Sequence, residues 1–160
     1  MHHPTVPERY IPPSDFLNAV INEDVEFGEG DPDDANLKHL LKLTRDANAA
    51  NRDWATLLLA QRQMNRADVL EALVAAASDV ETCVRAEAVL GLAQVDKSLA
   101  SPFLRKELAG PTVSMPLLEA ASIVADPSLI EDLEAFAEPS DNPILDGLVI
   151  KALRACRPPR

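Results

Sequence analysis

The chain contains few of the residues from which metal sites and redox sites are built. Its 160 residues include 2 cysteines and 3 histidines. Cys83 and Cys156 belong to different parts of the sequence, and His39 is the one histidine beyond position 3. A zinc site needs three or four such ligands at close spacing, and distant cysteines in an intracellular chain are usually reduced thiols. The sequence therefore predicts no metal ion and no cofactor.

Motifs that mark common enzymes are also missing. The 5 glycines form neither a GxGxxG nor a Walker-type loop, and there is no GxSxG. The aspartates of residues 31–34 lack the ligand spacing and the final glutamate of a calcium-binding EF-hand. No catalytic residue is predicted, and we expect a protein that is not an enzyme.

Long apolar runs and excess basic charge are absent as well. No run reaches the roughly 18–20 residues that cross a bilayer, and MHHPTVPERY lacks the apolar stretch of a secretory signal, so we expect a cytoplasmic location. The net charge is −11, from 15 basic and 26 acidic residues. Nucleic acid and anionic membranes would be repelled. A protein partner remains, for which a basic surface is one option, and the oligomeric state is left open.

What the sequence does contain is a repeat. DANAANRDWATLLLAQ, which begins at Asp46, aligns without a gap to DVETCVRAEAVLGLAQ, which begins 33 positions later at Asp79. A fixed period of this size is typical of stacked supersecondary units. Helical periodicity then predicts four helix pairs, whose second helices are expected at 52–64, 80–95, 112–124 and 143–155. Asp126–Pro127 and Asn142–Pro143 have the form of a helix N-cap followed by proline.

The remaining segments complete a predicted domain plan. Residues 1–35 form an arm, a short helix capped by Ser14 and an acidic linker, and we expect the arm and the linker to be mobile. The repeat domain spans 36–156, and 157–160 is a tail. Pro102 and Pro116 fall inside apolar helical patterns of the third pair. Because proline is tolerated in a first turn, these helices either begin later than the pattern indicates or kink there.

The repeats resemble HEAT repeats, in particular the short ones of bilin-lyase-like proteins, most strongly in Asp79-x4-Val84-Arg85-x2-Ala88-x2-Gly91-Leu92-Ala93. This resemblance implies an all-α fold, a right-handed α-solenoid of about four helix pairs with an N-terminal helical cap. It also implies a structural ladder of aspartates and arginines between repeats, formed here by Asp46, Arg52, Asp79 and Arg85. Ser114 and Asp146 replace the arginine later on, so the ladder is expected in the first half alone.

The same resemblance implies that the second helices line a concave surface. At about 100° per residue, Leu90 lies on the side of its helix opposite the core-facing residues, together with Ala86 and Ala93. Equivalent positions predict a partner-binding face made of Asp53, Leu57, Leu90, Met115, Glu119, Lys151 and Arg154. If the rotation is wrong by one position, these residues instead pack between repeats.

Function follows less directly, because HEAT-like proteins include adaptors, inhibitors and enzymes. We expect a non-catalytic protein-binding module, either an adaptor or an immunity-type inhibitor. The alternative is an enzyme-associated factor of the chromophore-lyase kind. A DNA-repair glycosylase, which would use Asp53 and Trp54 on a basic face, is disfavoured by the charge. Trp54 is expected to pack against the N-terminal helix.

Overall fold

The chain is all-α in a computed structural model that describes residues 11–28 and 34–159. No strand occurs in those ranges. The elements are α1 (Asp15–Ile21), α2 (Ala35–Leu43), α3 (Ala49–Gln61), α4 (Ala67–Ala76), α5 (Thr82–Val95), α6 (Lys97–Leu108), α7 (Met115–Val124), a 3-10 turn (Pro127–Leu129) that leads into α8 (Ile130–Glu134), and α9 (Pro143–Cys156).

The second helix of each pair forms a row. In that row α3 packs on α5, α5 on α7, and α7 on α9. The first helices α2, α4, α6 and α8 pack on the second helices of their own pairs, and α1 packs on α3. Across the described residues, no helix is long and apolar enough to cross a membrane.

Leucines fill the core, and small residues form the contacts along the row. Leu59, Leu92 and Leu118 are completely buried on successive helices, and full burial of one leucine contributes about 1.5–3 kcal/mol. Ala55 and Ala88, which occupy equivalent positions in α3 and α5, are completely buried as well. Because a methyl group takes little space, alanine at these positions lets neighbouring helices approach closely.

Most helix ends follow from capping residues. Ser14 caps α1 by accepting a hydrogen bond from the Leu17 amide, and Asn142 caps α9 with Pro143 in its first turn. Helix α3 begins and ends three residues earlier than predicted. Its start is fixed by Asn48, which accepts from the Asn51 amide, and beyond its end Gln63 has φ 49, a left-handed conformation that stops a helix.

The two prolines of the third pair behave differently. Pro116 lies in the first turn of α7, which begins at Met115 rather than near 112, so that helix begins later, as one of the two alternatives predicts. Pro102 lies inside α6, which continues through it from Lys97 to Leu108.

The described part of the acidic linker is attached to α3. Phe27 is half-buried against the core, and the Arg62 guanidinium carbon lies 3.7 Å from the centre of its ring. The Asn36 side chain also donates to the Glu26 carbonyl at 2.8 Å. One aromatic side chain thus supplies an apolar and cation–π contact to this segment, and the expected mobility of the linker stays a prediction. Residues 1–10 and 29–33, on which the rest of that expectation depends, lie outside the described residues.

Arginine side chains connect successive pairs along one edge of the row. Arg52 donates to the two carboxylate oxygens of Asp79 at 2.9 and 3.3 Å and to the Asp46 carbonyl at 3.0 Å. Arg85 repeats the arrangement, with the Asp79 carbonyl at 2.9 Å and Glu107 at 2.6 Å. The Asp46 carboxylate accepts from Asn48 and Asn51.

Through Glu107, the arginine contacts extend one helix pair further than the sequence predicts. The position 33 residues after Asp79 is Thr112, which carries no charge. The acceptor for Arg85 comes from α6 instead, at the end that faces α5. The equivalence of repeats therefore locates the arginine but not its partner.

We expect Arg85→Ala to lower the free energy of unfolding by about 1–3 kcal/mol, since it leaves the largely buried Glu107 carboxylate unpaired. The matched control is Arg105→Ala, whose pair with Asp126 is 3.4 Å long, with side chains 50% and 41% exposed. It should cost well under about 1 kcal/mol. Urea unfolding of both variants measures the difference, and equal losses would contradict the assignment.

Helices α3 and α5 approach each other closely at Gly91. A Cβ atom built there would lie 2.7 Å from the Ala60 Cβ and 3.2 Å from the Ala60 Cα. These atoms belong to the α3 backbone and its first side-chain carbon, so they cannot rotate away. Gly147 on α9 is different, because nothing lies within 4 Å of the equivalent position.

We therefore expect the same substitution to have opposite effects at the two glycines. Gly91→Ala should destabilise by about 1–3 kcal/mol, because it forces α3 and α5 apart. Gly147→Ala should stabilise by about 0.5–1 kcal/mol, because alanine loses less backbone entropy in a helix. Thermal unfolding of the two variants tests this, and shifts of the same sign would show that the close contact does not limit the packing.

Candidate partner-binding groove

A groove of about 510 Å³ crosses α3, α5 and α7 on the side that the first helices leave open. We call it the inner groove. None of its described lining residues belongs to α2, α4 or α6. Its lining consists of Leu57, Ala60, Gln61, Gln63, Glu87, Leu90, Gln94, Met115, Pro116 and Glu119.

The groove residues of α5 form one stripe on the helix. Glu87, Leu90 and Gln94 follow each other at three- and four-residue intervals, which places them on one face. Met115 and Glu119 occupy the same kind of stripe on α7, where Met115 is 43% exposed. The groove is thus built from side chains at helical spacing on adjacent repeats.

The predicted rotation of α5 needs a correction. Ala86 and Ala93, expected beside Leu90 on the open face, are 4% and 1% exposed. Ala93 holds the position in α5 that Ala60 holds in α3, and Ala60 contacts the next helix at Gly91. Because the repeats are equivalent, Ala86 and Ala93 therefore face α7. The open face of α5 is formed by Glu87, Leu90 and Gln94, which is a rotation from the predicted face by somewhat more than half of the roughly 100° between neighbouring residues.

The structure brings four of the seven predicted binding residues together. Leu57, Leu90, Met115 and Glu119 line the inner groove. Asp53 is half-buried and aligned with Ala86, so it lies toward α5. Lys151 and Arg154 are exposed on α9 and do not line the groove.

Glu87 is the groove residue that the sequence analysis missed. Burial, followed by the charges of Asp53 and Glu119, raises the pKa of Glu87 from its ordinary 4.5 to about 7. Burial is also the main cause that raises the pKa of Asp53, against a hydrogen bond from Cys83 that lowers it. The signal was available, since Glu87 lies three residues before Leu90, but the assumed rotation placed Glu87 off the face.

Asp53, Glu87 and Glu119 come from α3, α5 and α7, and we call them the carboxylate row. Each of the four ion pairs in the described parts of the chain uses other carboxylates, namely Asp68, Asp79, Glu107 and Asp126. The groove thus combines apolar side chains with negative charge that no described lysine or arginine neutralises. Such a surface attracts cationic groups.

Two observations concern metal-binding and nucleophilic groups among the described residues. Among the described residues, no group of three or more histidine, cysteine or acidic side chains is arranged to hold a metal ion. Partial burial and the Asp53 charge raise the pKa of the Cys83 thiol. A raised pKa disfavours the thiolate, which is the nucleophilic form.

Trp54 belongs to a neighbouring groove of about 500 Å³ between α1 and α3. Val20 and Ile21 of α1 line it together with Trp54 and Leu58 of α3. The ring is half-buried and packs against the core. This position agrees with packing against the N-terminal helix.

Comparison with known proteins gives the fold and little beyond it. No family model matches the chain. The chain is similar to Protein YibA of Escherichia coli strain K12 and to Protein YibA of strain O157:H7, each 30% identical over 125 residues, which are 77% of this chain and 44% of YibA. It therefore spans less than half the length of these relatives.

An X-ray structure of YibA from Escherichia coli has a similar fold. The TM-score is 0.62 at 24% sequence identity, and the match covers 76% of this chain and 44% of that one. The all-α arrangement described above is shared with that protein over the matched region.

The raised pKa of Glu87 makes stability depend on pH. Because the folded-state pKa of about 7 lies above the ordinary 4.5, the protonated form is favoured in the folded state. Stability is then lost as the pH rises from about 4.5 through 7. Glu87→Gln stays neutral, so it should be more stable than the parent at pH 8 by about 1–2 kcal/mol, allowing for solvent screening. The difference should be several times smaller near pH 5, close to the ordinary pKa of 4.5.

Urea unfolding at pH 5 and pH 8 measures this difference. Glu134→Gln is the matched control, because Glu134 is exposed on α8 and should show no such pH dependence. A pH-independent difference between Glu87→Gln and the parent would rule out the raised pKa.

Proposed function

We propose that this chain is a non-catalytic protein-binding module, an adaptor or an immunity-type inhibitor, that takes up a protein partner in the inner groove. As part of the proposal, the helix pairs form a right-handed HEAT-like α-solenoid with α1 as its cap, and the groove lies on the concave side. The successive contacts of α3, α5, α7 and α9 and the repeat of 33 residues support this architecture.

One observation carries the proposal. Leu57, Leu90 and Met115, each from a different repeat, line a single groove. Single exposed apolar residues are common on protein surfaces, but aligned ones on adjacent repeats are typical of grooves that receive a peptide or a helix. Carboxylates and glutamines surround them and would provide the polar rim that orients a partner.

The size of the groove suits a segment of a partner rather than a whole protein face. A volume of about 510 Å³ falls within the range of about 300–1,000 Å³ that small-molecule pockets have, which is room for a few side chains. We also place the module in the cytoplasm as part of the proposal. Its cysteines, Cys83 and Cys156, are both free thiols, which fits a reducing compartment.

Leu90→Glu tests the groove. The substitution adds a charge beside Glu87, and partner affinity should fall at least about tenfold, which corresponds to about 1.4 kcal/mol. The partner is obtained by affinity capture with the parent chain and identified by mass spectrometry, and calorimetry then gives the affinities. Val80→Glu is the control, because Val80 is 83% exposed and outside the groove.

Circular dichroism separates the outcomes for Leu90→Glu. A folded variant that binds as tightly as the parent would contradict the proposed site. If the variant unfolds, Leu90→Ser, which removes apolar surface without adding charge, replaces it in the same binding measurement.

A further inference from the structure

We propose that the inner groove receives a lysine or arginine side chain of a separate protein partner, flanked there by apolar residues, and that Glu87 and Glu119 hold this cation while Asp53 adds negative charge from beside the groove. The inference rests on the proposed function, since it specifies the chemistry of the partner for the same groove.

The first support is the placement of the three acids. One carboxylate comes from each of three consecutive helices in the row, and Glu87 and Glu119 line the groove itself. Asp53 and Glu119 both lie near enough to Glu87 for their charges to act on it. The other polar lining residues, Gln61, Gln63 and Gln94, are uncharged. A cation that enters between Leu57, Leu90 and Met115 would therefore meet carboxylates and no described basic group.

The second support is the state of the acids when the groove is empty. Glu87 is partly desolvated and has acidic neighbours from both sides, Asp53 from α3 and Glu119 from α7. Cys83 on its own helix is a neutral thiol whose pKa is raised. Charged side chains of α4 and α6 are not among the groups that act on Glu87. A lysine or arginine would supply the missing opposite charge and favour the ionised form.

Other occupants fit the groove less well. A purely apolar segment would desolvate the carboxylates further without giving them a partner, which is costly. An acidic segment or a nucleic acid would add like charge. A second copy of this chain also offers a basic residue next to an apolar one, because Lys151 lies beside the exposed Ile150 on α9. The experiment must therefore distinguish a second copy from a separate partner.

Binding of a cation should be linked to loss of a proton. With a free pKa of about 7, Glu87 is mostly ionised at pH 8 and mostly protonated at pH 6. If the cation binds the ionised form, affinity should fall about tenfold between pH 8 and pH 6. A proton should be released on binding at pH 6.

The probe is a peptide selected against the intact chain from a random displayed library, together with its variant in which the basic residue is replaced by norleucine. Calorimetry at pH 6 and pH 8 gives the affinities for the parent, Glu87→Gln and the control Glu134→Gln. We expect selected peptides to place lysine or arginine between apolar residues. The norleucine variant should lose about tenfold or more in affinity at pH 8.

The protein variants sharpen the test. Glu87→Gln should lose about tenfold in affinity at pH 8, and its affinity should no longer change between pH 6 and pH 8. Glu134→Gln should keep both the affinity and the pH dependence of the parent. A carbon-detected titration of the Glu87 carboxyl by NMR should show its pKa falling when peptide is added.

Three results would overturn the inference. Peptides that bind Leu90→Glu weakly, but that carry no basic residue or bind Glu87→Gln as tightly as the parent, would refute the inference. The proposed protein-binding function would still stand. Peptides that bind Leu90→Glu as tightly as the parent would refute both the inference and the proposed function. Concentration-dependent self-association that is lost in Lys151→Gln would assign the groove to a second copy instead of a separate partner.

Discussion

The close packing of α3 on α5 at Gly91 and Ala60 is the constraint on which the rest of the structure depends. Because the Ala60 Cβ occupies the space that a side chain at position 91 would need, the two backbones are held at one distance and one rotation. That rotation buries Ala86 and Ala93 against the next helix. It also turns Glu87 and Leu90 toward the open side, so a packing contact determines which residues form the inner groove.

Acidic side chains pair with arginine on one part of the row and have no described basic partner on another. Along one edge, Arg52 and Arg85 pair with Asp79 and Glu107, and each arginine also donates to a carbonyl in the turn that precedes its own helix. In the inner groove and beside it, the three acids of the carboxylate row form no ion pair with a described lysine or arginine. Because burial raises the pKa of Asp53 and Glu87, leaving these acids without a cation lowers stability there, which is more typical of a binding surface than of a scaffold.

The sequence predicts the architecture because its signals are local. The serine cap of α1 and the asparagine cap and first-turn proline of α9 each act within one turn, and those two helices begin where these residues stand. The rotation of α5 was not predictable in the same way, because alanine is compatible with either a contact or an open face. Glu107 was missed because its role depends on Arg85 of another helix, whereas Glu87 was missed because the predicted rotation of α5 placed it off the open face.

The stability that the carboxylate row costs and the binding affinity that it would provide come from the same free-energy difference. Burial and like charge raise the pKa of Glu87, so at neutral pH part of the folding free energy is lost to desolvation and to repulsion in the empty groove. A bound cation would remove that repulsion, and the energy recovered would add to the affinity. A groove made only of leucine and methionine would bind any apolar segment, whereas this one would reject those that leave its acids unpaired. Selectivity would then come from the same interaction that makes the empty groove less stable.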